Sequence, residues 1–169
     1  HGLGRIFAGD LASACYDKQR HRLAKNEFPR LQAILIGQGE SHDLQLLGST
    51  LLIENKTANK KRTALIIRAL NPTDAILKEL SAEDFVVQTI AYAISIAQAR
   101  ELDEVRLCYD HKGGHSTNRQ QVFDAISHLI RKHSWPKGDH LENTPETRFN
   151  DYQIWRAGET HIVWSKEKS

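Results

Sequence analysis

Residues 105–130, VRLCYDHKGGHSTNRQQVFDAISHLI, constrain the chain most, because the hydrophobic period changes there within a few positions. Val105, Leu107 and Tyr109 alternate with Arg106 and Cys108, the period of a strand, and Gly113 and Gly114 stop the pattern. Ser116, Thr117 and Asn118 are candidate N-caps, after which Val122, Phe123, Ile126, Leu129 and Ile130 share one side of a helical repeat. A strand, a glycine and histidine loop and an amphipathic helix place that loop at a helix N-terminus. Unpaired backbone N–H groups and the helix dipole favour an anion or a carbonyl oxygen there, and Arg119 adds a formal charge. A plain connection whose polar residues only cap the helix has the same pattern.

The remaining elements are read around this unit. Residues 5–28 read as a short strand or turn and a polar helix. Residues 31–36, LQAILI, read as a buried strand, and 44–54 and 63–69 as two more, joined by the polar tip NKTANKKR. Pro72 bends the chain after IIRALNP. Ser81 to Asp84 have the spacing of a capping box in front of an apolar helix over 85–102. The chain closes on two expected strands around Ala157 and Gly158.

A chain of 169 residues fits one domain, 1–169, long enough to bury a core without staples. The absence of methionine and the start at His1 read as a piece excised from a longer protein. No apolar run approaches the ~18–20 residues of a membrane span. A formal charge of +2 gives no global field, so neither membrane nor nucleic acid is an expected partner, and Lys56, Lys60, Lys61 and Arg62 read as a solvated tip. Cys15 and Cys108 form neither a disulfide framework nor a zinc-type pair, which points to a reducing, cytoplasmic compartment; secretion as part of a longer protein stays open.

The order of elements, carried by TALIIRALNP with SAEDFVVQTIAYAISIAQA, then EVRLCYD, then NRQQVFDAI, resembles the GNAT superfamily of N-acetyltransferases over roughly residues 31–165. The resemblance implies an α/β (α+β) fold, with a mixed, mostly antiparallel sheet, helices on both faces and an acyl-CoA N-acyltransferase-like architecture. It also implies an acyltransferase that moves an acyl group from acetyl-CoA, or another acyl-CoA, to a small-molecule or protein amine. Leu70, Asn71 and Asn118 would then contact the cofactor. Ser116, Asn118, Arg119, Arg68 and Asn71 would line the substrate cleft between strands 63–69 and 105–109.

Such a transfer needs a base for the ammonium proton, donors for the oxyanion and an acid for the thiolate. His111 or His115 suits the base because imidazole titrates near neutral pH, and Tyr109 suits the acid. Glu54, at a strand end, is a second candidate base. Two alternatives stay open. The turn LNPTDAILKELSAED lacks the family's glycines and sets Asp74, Glu79, Glu83 and Asp84 against Lys78, which suits a non-catalytic, protein-binding module on the same fold. Cys108 or Cys15, with His111 or His115 taking the thiol proton, would make a Cys/His-dependent hydrolase or transferase, although free cysteine is commonly a small buried hydrophobe. Cys108, His111 and His115 lack an evident fourth ligand, so no metal is expected.

Overall fold

A computed structural model describes residues 30–38, 45–109, 117 and 119–168, with side chains for all of these except 33–38, 45–47, 149–151 and 168. Strand β1 is Leu31–Gln38, β2 Gln45–Lys56 and β3 Thr63–Pro72, and the polar tip between β2 and β3 makes them a meander. A one-turn helix α1 (Asp74–Leu77) and a long helix α2 (Ala82–Ala99) lead to β4 (Glu104–Cys108), followed by α3 (Gln120–His133) and β5 (Thr160–Ser165). The sheet order is β1-β2-β3-β4-β5. Only β3 and β4 are parallel, as a crossover through α2 allows, and the other neighbours are antiparallel. The result is a mixed α+β fold with an open, mostly antiparallel sheet.

Of the described helices, α2 and α3 pack side by side on one face of the sheet. Leu52, Leu65, Ile67, Leu70, Val105 and Leu107 point to that face and meet Phe85, Val86, Ile90, Val122, Ile126 and Leu129. Each such side chain, removed from water, stabilises the fold by roughly 1.5–3 kcal/mol. The charge pattern of β4 decides the arrangement, because its other face carries Glu104 and Arg106 and cannot receive the apolar stripe of α3. Across α2 and α3, His128 Nε2 and Lys132 Nζ lie 3.9 and 3.7 Å from the Glu83 carboxylate.

The opposite face holds a second core of Leu31, Leu51, Ile53, Ala64, Ile66 and Cys108, covered by Leu141 and Ile154 from the segment between α3 and β5. The expected terminal hairpin is not formed. Of its two strands only β5 exists, because the residues before Gly158 cross this face instead. Ile154 is buried there, its N–H donating to Thr147 O (3.1 Å), while the Trp155 carbonyl accepts from Leu141 N–H (2.9 Å).

Glu104 and Arg106, both buried, pair with each other, and Arg106 is further satisfied by that crossing segment. Arg106 Nε donates to Glu104 Oε1 (2.6 Å), and its Nη atoms donate to the Asp139 carbonyl (2.8 Å) and carboxylate (2.5 Å). Arg62 reaches the same carboxylate at 2.7 Å. Asp103 ties the start of β3 to the start of β4, accepting from Thr63 N–H at 2.7 Å and Thr63 Oγ1 at 2.9 Å.

Both aspartates are held below the usual carboxylate range. For Asp103 the Thr63 backbone N–H is the main cause and burial opposes it. For Asp139 burial pushes upward, but the Arg106 hydrogen bond with the charges of Arg106 and Arg62 outweighs it. A depressed carboxyl stabilises the fold above its unfolded pKa, and that contribution is lost as pH falls through the folded one. The urea midpoint should therefore drop as pH falls below roughly 4, the unfolded aspartate value, and Asp103→Asn should flatten that decline.

Candidate functional site

β3 outruns its parallel partner. Pairing with β4 ends at Ile67↔Leu107, yet β3 continues to Pro72. In the continuation Ala69 has φ +58°, a left-handed conformation that costs a residue with a Cβ about 1–2 kcal/mol. Opposite it, Ser49 pairs with Asn71 and Leu51 with Arg68, so Thr50 alone faces Ala69 and Leu70: a β-bulge. Thr50 Oγ1 donates to the Arg68 carbonyl at 3.0 Å and holds the irregularity. The extra residue turns Leu70 back to the helix face with Leu65 and Ile67.

The start of α3 is fastened beside this continuation. Thr117 Oγ1 lies 3.4 Å from Asn71 Oδ1 and accepts from Arg119 N–H at 3.1 Å, and the Arg119 guanidinium is paired with Asp74 at the head of α1. Arg119 is the N-cap position, just past the three candidates Ser116, Thr117 and Asn118, with no side-chain cap bond and no acid in the first turn. The end of β3 and the start of α3 thus meet at the carboxyl ends of a parallel strand pair, where open sheets commonly admit ligands.

Tyr109 stands on the helix side of the same end of β4. Its ring stacks on Phe123 at 5.2 Å and meets the edge of buried His161 at 5.5 Å. Ser127 Oγ is 3.0 Å from both the Tyr109 hydroxyl and the Phe123 carbonyl. A serine has one proton and the carbonyl can only accept, so Ser127 donates to one of the two and positions the phenol either way.

Asn71 and Arg119 are thus brought together beside Leu70, with Tyr109 on the adjacent strand. Arg68 is not with them: it lies on the other face, its guanidinium 4.7 Å from the centre of the Tyr152 ring. Cys108 also faces that way, fully buried among Leu31, Ile53 and Leu141, a setting in which thiols are inert. Glu54 is spent on an ion pair with Arg100 at 3.3 Å. Cys15, His111, His115, Ser116 and Asn118 lie outside the described residues. Thr117, Ser127 and His161 are the residues that sequence reasoning missed. Thr117 stood in the STN cap cluster, whereas nothing local marks Ser127 or His161 as neighbours of Tyr109.

The N-terminus of α2 is a poor seat for phosphate. Ser81 Oγ accepts from Asp84 N–H at 3.1 Å, and Glu83 and Asp84 occupy the first turn, where their charge already complements the helix dipole. Among the described residues no three His, Cys, Asp or Glu side chains are grouped to hold a metal ion, and no helix is long and apolar enough to cross a membrane. Compared with protein-family models, curated proteins and solved structures, the chain matches none.

Proposed function

We propose that this is an acyltransferase-like domain, with an acyl-CoA N-acyltransferase-like architecture, that takes an acyl thioester at the carboxyl ends of β3 and β4. The observation that carries the reading is the continuation of β3 past its last pairing with β4, through the bulge at Ala69. Strained, irregular backbone of this kind is kept where the surrounding structure over-determines it, commonly at ligand sites.

In this reading the backbone N–H groups at Leu70 and Asn71 hold the thioester carbonyl, where negative charge grows as an amine attacks. The new C–N bond forms and the C–S bond breaks. His111 or His115 takes the ammonium proton, and Tyr109, positioned by Ser127, returns one to the departing thiolate. Acidic α2 does not fit the pyrophosphate of coenzyme A; the start of α3, with no acid in its first turn, suits an anion better, which Arg119 would meet by turning from Asp74.

Isothermal titration with acetyl-CoA and with free CoA tests the reading. Saturable binding is expected, weakened about tenfold by Arg119→Gln, as the loss of ~1.4 kcal/mol would give. The acid first turn of α2 favours a second reading, a protein-binding module that has lost CoA. No heat and no thermal stabilisation at saturating ligand would decide for it.

A further inference from the structure

The β2–β3 tip is fastened to two segments distant in sequence. Ala58 N–H donates to the His140 carbonyl (2.8 Å), Glu142 N–H to the Lys56 carbonyl (2.9 Å), and Leu141 N–H to the Trp155 carbonyl (2.9 Å). One surface thereby gathers exposed Lys56, Lys60, Lys61, His140 and Arg156 around half-buried Trp155. The acids nearby are already engaged, Asp139 by Arg62 and Arg106, and Glu142 by Arg30 at 3.3 Å. Lys56, Lys60, Lys61 and Arg156 enter no ion pair among the described residues. The Arg156 guanidinium lies over the Trp155 indole, 5.5 Å from its centre.

We propose that this surface binds single-stranded nucleic acid, the cations taking phosphates and the Arg156–Trp155 pair taking a base. The chain's small net charge conceals the patch, and only the fold brings Arg156 and Trp155 to the lysines of the tip. A stable protein interface needs an apolar centre. The exposed large apolar side chains among the described residues, Val87 and Tyr92, are both on α2, across the sheet. What remains is polar and cationic, the character of nucleic-acid interfaces. A guanidinium over an indole offers a cationic and aromatic surface that every base can use. The surface is independent of the acyl site: it sits at the Thr63 end of β3, and the ten residues to Pro72 span about 30 Å.

Fluorescence anisotropy of a fluorescein-labelled oligothymidylate measures the binding. Saturable binding at low salt is expected, with the logarithm of affinity falling against the logarithm of salt by about 0.7 per phosphate contacted, or a slope near −2 for the three lysines. Lys60→Ala with Lys61→Ala should weaken binding several-fold at unchanged thermal midpoint. The charge-matched pair Lys78→Ala with Arg131→Ala, away from the patch, should not. No saturable binding at low salt, or equal losses from both pairs, would overturn the proposal. A labelled polyglutamate bound as tightly as the oligonucleotide would also overturn it, in favour of an acidic protein.

Discussion

Arg106→Met should lower the unfolding free energy by about 3–5 kcal/mol, the range found when one partner of a buried ion pair is removed. Its side chain is 0% exposed and that of Glu104 only 2%. The substitution leaves the Glu104 carboxylate in the interior with Arg62, 3.6 Å away and partly in water, as its remaining counter-charge. It also releases the Asp139 carbonyl and carboxylate, which fasten the crossing segment over the second core. That remaining cation favours the lower end of the range. If the loss comes from the stranded charge rather than from packing, adding Glu104→Gln should recover part of it, read as non-additivity in a double-mutant cycle of urea unfolding. A cost below 1 kcal/mol, or strict additivity, would mean that the network contributes little.

Gly138→Ala should cost about 1–3 kcal/mol, as overpacking of a filled interior does. A Cβ built there would press on Arg106 Nη1 and stand 2.5 Å from Thr160 Oγ1. A long side chain can usually swing clear of an added methyl, but this guanidinium is pinned on Glu104, Asp139 and Thr160. Gly138 is itself held, its N–H donating to the Thr160 carbonyl at 2.8 Å. The two substitutions should therefore couple. In the Arg106→Met background the shorter, unpinned side chain makes room, and Gly138→Ala should cost clearly less than in the parent. Equal costs in both backgrounds would show that the strain lies against Thr160 alone.

Hydrophobic period was legible where one face of an element meets the core. β4 and α3 follow the alternation of Val105, Leu107 and Tyr109 and the stripe from Val122 to Ile130, and Ser81 caps α2 as its spacing suggested. The tip with its lysines and the bend after IIRALNP also follow local chemistry. The side of the sheet taken by α3 did not, because it depends on which face of β4 carries the buried Glu104–Arg106 pair, and a period of two is blind to faces. The segment 152–158 shows β-type residues, yet its long-range hydrogen bonds go to Gly138, Leu141 and Thr147, whose proximity no local pattern reveals.

The candidate site divides in the same way. Asn71 and Arg119 were singled out on separate stretches, and the fold joins them through Thr117 and Asp74. The bulge at Ala69 carries no glycine to announce a left-handed residue, so the irregularity on which the acyl reading rests was invisible in the sequence.

The most direct test of the acyltransferase reading is a map of backbone amide shifts in an isotope-labelled sample titrated with acetyl-CoA. Saturable shifts concentrated at Leu70 and Asn71 and at Arg119 and Gln120, with smaller ones at Tyr109, are the expected result. Shifts absent at saturating ligand, or confined to surfaces away from the ends of β3 and α3, would contradict it.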